Sequence, residues 1–290
     1  MKLKVKTISD LNNDFASKTD SIITVNFIDF DRVVNGFRKG ELTCIGGRPA
    51  MGKTSFITQL AIDISKAYNV FYWSLSESSS NLYSYILARE SNIPRLNLFK
   101  NDLNHEQADK ISLGLKRIES SSIKFIHHQF YTDKVIEVIK SELNTKKIDI
   151  LFIDYLQLLD TTLTYNSINE RITACLLALK TFAQKENIAI VITSQLSGDF
   201  ESYGGSKRPR LCDIQNSTDS EHIFDSILLL YRPEYYDITE DEHGNSNTNK
   251  MEINVIKNNK GKTGTFALEY SPNRSEFTDW KHQGFFNTFS

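Results

Sequence analysis

Cysteine is scarce in this sequence: Cys44, Cys175 and Cys212 are the whole supply among 290 residues. Three scattered thiols build neither a disulfide framework nor a zinc ligand set, so a reducing compartment is the expected setting. Long apolar runs are missing as well. Nothing approaches the roughly 18 uninterrupted apolar residues of a membrane span, and the opening "MKLKVKTISDLNNDF" has no apolar h-region. A soluble, unprocessed, cytoplasmic protein without a membrane partner is expected. Nor does one sign of charge dominate, since 34 Lys and Arg face 36 Asp and Glu. No global positive field advertises nucleic acid, although a near-neutral protein can still carry a locally basic channel.

What is present is an ordinary globular composition, 40% hydrophobic and 24% charged, long enough for one large domain with at most a short appendage. Short runs rich in Val, Ile and Phe alternate with segments of helical period, which is the pattern of a mostly parallel sheet with crossover helices. The strand candidates are "ELTCIGG" from Glu41, "NVFYWSLS" from Asn69, "IKFIHH" from Ile123, "DILFIDYLQLL" from Asp149, "IAIVITSQL" from Ile188 and "SILLLYR" from Ser226. Between them, "KTSFITQLAIDISKAY" sets Phe56, Leu60 and Ile64 on one core-facing stripe, and "TDKVIEVIKSEL" and "ITACLLALKTFAQKE" read as helices too. "KMEINVIKNNKGKTGTFALEYSP" predicts an antiparallel hairpin at the sheet edge. Two stretches rich in Gly, Ser, Asn and charge, Ser197 to Asp213 and Glu234 to Asn249, read as long mobile loops.

"GRPAMGKTS" fits G-x-x-x-x-G-K-[ST] between a strand and a helix, giving a candidate nucleotide cradle of Gly47, Arg48, Pro49, Ala50, Met51, Gly52, Lys53, Thr54 and Ser55. A glycine-rich bend lets backbone N–H groups face phosphate, and the positive end of the next helix adds to the attraction. Lys53 is then expected to reach the β and γ phosphates of ATP, and the Thr54 hydroxyl to ligate Mg2+. "ILFIDYLQ" is an apolar strand ending in Asp154, which suits the acidic residue that holds the same metal.

Taken in order, "GRPAMGKTS", "IDYLQLL", "SQLS", "KRP..CDI" and "LLLYRPEYY" resemble the C-terminal motor domain of the DnaB-type replicative DNA helicases, a branch of the RecA-like ATPases. The resemblance runs roughly from Thr24 to Glu269. It implies an α/β RecA-like P-loop domain, a mostly parallel central sheet with flanking helices and a C-terminal antiparallel hairpin, over residues 23–285. Residues 1–22 form an arm or linker helix, with Ser9 as N-cap and Leu11 and Phe15 on one face, and 286–290 a tail. The family's separate N-terminal domain has no room in some 20 preceding residues. The resemblance further implies a hexameric ring, ATP between subunits, single-stranded DNA in the channel, and Gln195 as γ-phosphate sensor; a strand-end amide satisfying the backbone is the plainer reading of Gln195. Tyr231 and Arg232 would lie near the adenine.

Three departures bear on activity. The family's catalytic Glu follows S-L, where this chain has Ser76; Glu77 comes one residue later, and a one-residue slip in a strand turns a side chain to the other face. A strand that ends early would let the loop bring Glu77 back. The family's K-x-R-x-G arginine finger reads Lys257, Asn258, Asn259, Lys260, Gly261: Lys257 is kept, Asn259 replaces the finger, and Lys260 offers a point charge without the planar fork. The DNA-contacting segment has Gln215, Asn216 and Thr218 at its Arg, Glu and Gly positions, with Lys207, Arg208 and Arg210 upstream as either compensating contacts or a solvated basic loop. His127 and His128 have no metal-spaced partner, and Trp73 and Tyr72 read as packing. The expected catalytic set is therefore Glu77, Asp154, Gln195 and Lys257, and the expected activity an ATP-dependent DNA helicase. The rival reading is a nucleotide-binding, hydrolysis-poor relative that co-assembles with an active helicase subunit. A recombinase or signalling ATPase is disfavoured by "DYLQLL" and "KRP".

Overall fold

A computed structural model describes residues 7–8, 22–99, 103–127, 129–197, 207–214 and 220–280. Its centre is a nine-stranded sheet. In chain order the strands are β3 (Leu42–Gly47), β4 (Val70–Ser74), β5 (Ile123–His127), β6 (Ile150–Asp154), β7 (Ala189–Gln195), β8 (Ser226–Tyr231), β9 (Lys250–Asn258), β10 (Gly264–Ser271) and β11 (Glu276–Asp279). They lie in the spatial order β11-β10-β9-β8-β3-β7-β6-β4-β5, and a separate pair joins β1 (Ile22–Ile23) to β2 (Phe37–Arg38). The six strands from β8 to β5 run parallel, and β9, β10 and β11 antiparallel.

The apolar runs are continuous because both faces of the sheet are covered, yet the period of two persists inside them. Ile150 and Phe152 of β6 join one core cluster, and Leu151 and Ile153 the other. The same division holds for Val191 against Ile192 in β7, and for Leu228 against Leu229 in β8. The first face is closed by α1 (Ile28–Val34) and α2 (Lys53–Ser65), the second by α5 (Thr132–Leu143) and α6 (Ile168–Glu186). Phe56 is fully buried among Phe27, Phe30 and Phe277, with ring centroids 5.0 to 6.5 Å apart. Truncating such a ring to Ala costs about 3–5 kcal/mol.

Four expectations are modified. Helix α2 has no single stripe: Phe56, Ile57, Thr58, Gln59, Leu60, Ala61 and Ile62 are all buried. The reason is β11, which covers the far side; Gln59 donates to Phe277 O (2.8 Å) and accepts from Phe277 N (2.7 Å). The hairpin forms, but β11 occupies the edge beside it, so the antiparallel wing has three strands. Helices α3 (Ser79–Ser91) and α4 (His105–Glu119), absent from the sequence reading, pack so closely that a Cβ on Gly114 would meet Ser91 N at 2.9 Å. Finally, residues 234–249 are a tied excursion. Asp241 accepts from His243 N and Asn245 N, Asn247 N donates to Thr239 O, and Asn249 N donates to Glu234 Oε2. Of Ser197 to Asp213 only 197 and 207–213 are described, and the expected N-terminal helix and C-terminal tail lie outside the described residues. No helix among the described residues is long and apolar enough to cross a membrane.

Candidate nucleotide site

Strand β3 delivers the chain to the sheet's C-terminal edge, where residues 48–52 bend before α2. The bend needs two left-handed residues, Ala50 (φ 62°) and Gly52 (φ 87°), and Gly52 is the N-cap of α2. A Cβ on Gly46 would meet Leu229 Cδ2 at 2.6 Å, so that side chain would have to shift to admit one. Met51 is buried beneath the loop, while Pro49 and Ala50 stay exposed. Lys53 folds back and donates to Gly47 O (2.7 Å) and Arg48 O (2.9 Å). Burial lowers its amine to about 8 and Arg48 adds to that, while the charge of Asp154 opposes it.

Asp154, at the tip of β6 and 2% exposed, meets this cradle from below. Its Oδ2 accepts from Thr54 Oγ1 at 2.7 Å, and its Oδ1 from Thr193 Oγ1 at 2.5 Å. A hydroxyl and a carboxylate in contact, both hard oxygen donors, fit magnesium, which takes few protein ligands and leaves its other positions to water and phosphate. The nucleotide fits as well. Arg232 NH1 donates to Ala50 O (3.4 Å), its guanidinium lies 5.1 Å from the Tyr270 ring, and its buried Nε has no partner among the described residues. Tyr231 stacks on Tyr236 at 5.7 Å beside it.

The strand β4 ends at Ser74, earlier than its apolar run suggested. Ser74 Oγ donates to Glu77 O (3.1 Å), the chain turns, and Ser76 is left exposed while Glu77 is half-buried. The slip that would face Glu77 away therefore does not apply, because there is no strand at that point to impose it. Tyr72 is fully buried with its hydroxyl 3.3 Å from Thr58 Oγ1. Burial, and next the negative charges of Asp154 and Glu77, hold this phenol protonated. Trp73 is likewise core, donating to Gln129 O at 2.7 Å.

Gln195 ends β7 directly opposite Gly47 of β3. A residue that the sequence reading missed holds it. Gln157, three places after Asp154, accepts from Gln195 N (3.1 Å) and donates to Gln195 O (3.2 Å) and Ser194 Oγ (2.9 Å). Its side-chain amide thus pairs with the backbone as a neighbouring strand would. The available signal was the glutamine of "DYLQ", three places after Asp154.

With this geometry in hand, comparison with known proteins is decisive. Residues 23–279 match the model of the DnaB-like helicase C terminal domain. The chain belongs to this family. A probable replicative DNA helicase of Trieres chinensis is 30% identical over 273 residues, covering 89% of this chain and 57% of that protein. Replicative DNA helicase DnaC of Bacillus subtilis is 28% identical over 268 residues, covering 89% and 56%. The chain thus spans little more than half the length of these relatives. Among solved structures, the ATPase domain of G40P superposes with a TM-score of 0.83 at 25% identity, over 94% of this chain and 97% of that one. A DnaB-like replicative helicase, described with its interactions with primase, gives 0.84 at 25%, over 95% and 68%.

In this DnaB-like domain the remaining candidates do not gather at the phosphate loop. Lys257 pairs with Ile227, which is level with Cys44 in β3. That is about 10 Å below Gly47 along the strands and two strands aside. One extra residue, Ile256, bulges β9 at this point, since Lys257 opposes Ile227 and Val255 opposes Leu228. The Lys257 amine donates to Glu221 O (3.2 Å) and His222 O (3.5 Å). Asn259 N donates to Asp225 O (3.0 Å), and Lys260 pairs with Glu41 (2.8 Å). Arg208 makes a two-pronged pair with Glu252, 2.8 and 3.1 Å, and lies 5.5 Å from the Tyr231 ring. Arg210 is exposed, with its N–H on Asp213 Oδ2 (2.6 Å), and Lys207 is half-buried. Asp213 O accepts from Ser197 N (2.8 Å), so this basic segment hangs from the end of β7, two residues past Gln195. Gln215, Asn216, Thr218 and His128 lie outside the described residues. His127 stacks on Phe125 at 6.1 Å.

Proposed function

We propose that this chain is the ATP-dependent motor of a DnaB-type DNA helicase, binding Mg-ATP between neighbouring subunits of a hexameric ring and moving along single-stranded DNA during replication. The observation that carries the reading is the contact of Thr54 with Asp154 beneath the Gly47 to Ser55 cradle. Lys53, now bonded to two loop carbonyls, exchanges them for the β and γ phosphates. Thr54 and Asp154 hold the magnesium, which when bound neutralises charge on those phosphates. Glu77 orients and deprotonates the attacking water, Gln195 contacts the γ phosphate, and Arg232 covers the nucleotide from the β8 side. Because Lys257 lies far from its own phosphate loop, it serves the site of the adjacent subunit. The link from Gln195 through Ser197 to Asp213 supports passage of nucleotide state to the basic segment that carries Lys207 and Arg210.

ATP hydrolysis by the assembled protein, measured with and without single-stranded DNA beside Lys53→Ala, tests this. DNA-stimulated turnover that the substitution abolishes supports it; turnover surviving in Lys53→Ala would sink it. A second reading, a hydrolysis-poor relative that co-assembles with an active helicase subunit, is favoured by exposed Ser76 and by Asn259 in the finger position. It predicts tight ATP binding with little turnover until the active subunit is added.

A further inference from the structure

Glu77 is gripped by polar groups that none of the sequence motifs contains. Ser78 caps α3 by accepting from Asn81 N (3.2 Å), which places the Asn81 side chain on the first helical turn beside Glu77. Asn81 Nδ2 donates to Glu77 Oε2. The other end of the same amide, Oδ1, accepts from Arg95 NH2. Arg95 is itself restrained: its Nε donates to Ser84 Oγ (2.8 Å), its guanidinium lies 3.9 Å from the Tyr85 ring, and its backbone N–H donates to Asn273 O (2.8 Å).

This order of contacts has only one sense. A guanidinium can only donate, so Arg95 claims the amide oxygen, and the Asn81 NH2 group must then face Glu77. A carboxylate oriented through one oxygen keeps its second oxygen for another partner. Glu77 follows the end of β4 beside the tip of β6, where Ser74 pairs with Asp154 and Leu75 N donates to Asp154 O (2.8 Å).

We infer that Asn81, oriented by Arg95, is the positioning residue that aims Glu77 as the water-activating base, in place of a carboxylate at Ser76. The inference rests on the ATPase reading above. It explains how a carboxylate displaced by one residue is brought to bear: the turn after Ser74 supplies the direction, and the Asn81 amide supplies the orientation.

The experiment is a double-mutant cycle on ATP hydrolysis by the full chain with single-stranded DNA, with binding of a fluorescent ATP analogue measured in parallel. Glu77→Gln is expected to lower kcat about 10²- to 10⁴-fold. Asn81→Ala should lower kcat at least about tenfold with KM and nucleotide affinity little changed, the mark of an interaction made in the transition state. In the Glu77→Gln background, Asn81→Ala should have no further effect. Asn81→Asp keeps the size of the side chain and an acceptor for Arg95 but loses the donor, so it should fall at least as far as Asn81→Ala. An unchanged or raised kcat in Asn81→Ala overturns the inference. So does a loss that persists undiminished on the Glu77→Gln background. Wild-type turnover no faster than Glu77→Gln, with nucleotide still bound, overturns the base role and with it the inference, while DNA-stimulated turnover in both would leave the hydrolytic reading standing. Failure of the wild type to bind nucleotide overturns the proposed function itself.

Discussion

The two ends of the parallel strands differ. At the C-terminal edge, Gly47, Lys53, Thr54, Asp154 and Gln195 follow the motifs that carry the family resemblance and gather within one chain, with Thr193 bonded to Asp154. At the opposite edge, Lys257 keeps that pattern and Asn259 departs from it, and Lys257, Asn259 and Lys260 are each tied to their own chain: to Glu221 and His222, to Asp225, and to Glu41. On the function proposed above, the contrast separates the cradle that would bind the nucleotide, which gathers within this chain, from Lys257 and Asn259, which would act on the site of a neighbour.

The sharpest way to break the comparison is at its intact end. Asp154→Asn keeps two acceptable partners for Thr54 and Thr193 but removes the charge; turnover should fall roughly 10²- to 10³-fold, the scale of losing one preorganised electrostatic group. Titrating magnesium against the variant checks the cause, because the metal needed for half-maximal rate should rise. Next, Asn259→Arg restores a guanidinium at the departed end. The Asn259 contact with Asp225 is through the backbone and survives the change. Turnover should rise at least about tenfold, with the 10³- to 10⁵-fold scale of such fingers as the upper bound, and only in assembled protein. No rise at any protein concentration would show that the finger position is not used.

A pH series is gentler. With its amine lowered to about 8, Lys53 is charged below that pH and loses its proton above it. Nucleotide affinity should therefore decline as pH rises through about 8, approaching tenfold per pH unit beyond it. Folding responds in the opposite sense. The buried ammonium opposes folding fully below about 8, and that opposition lessens as pH rises from there toward the ordinary 10.5. The smallest effect belongs to Lys260→Ala. Its partner Glu41 is nearly buried but Lys260 itself is 59% exposed, so solvent screens the pair and thermal unfolding should report under about 1 kcal/mol.

What was legible in the sequence is local. The phosphate loop, the Asp154 strand and the buried runs announce themselves by spacing and composition, and the structure has them where the spacing predicts. Contacts between distant segments were not legible. Arg208 meets Glu252 across 44 positions, and Gln59 meets Phe277 across 218. Helix α4 did carry a local signal, the Asn104 and Gln107 capping box, but its weak apolar face hid it: among its residues Gly114 alone is buried. The turn at Glu77 stayed an open alternative in the sequence, because the apolar run from Val70 to Trp73 says nothing of the side-chain hydrogen bond from Ser74 that accompanies the strand's end.

The Ile256 bulge has a consequence for how such an enzyme would respond to dilution. It accompanies the turn of Lys257 toward Glu221, before β8, and on the function proposed above each subunit would then rely on a neighbour's Lys257. Rate per chain then becomes a function of concentration, and a mixture of Lys53→Ala with Lys257→Ala subunits should recover turnover that neither shows alone. The defect of one chain is answered by the other.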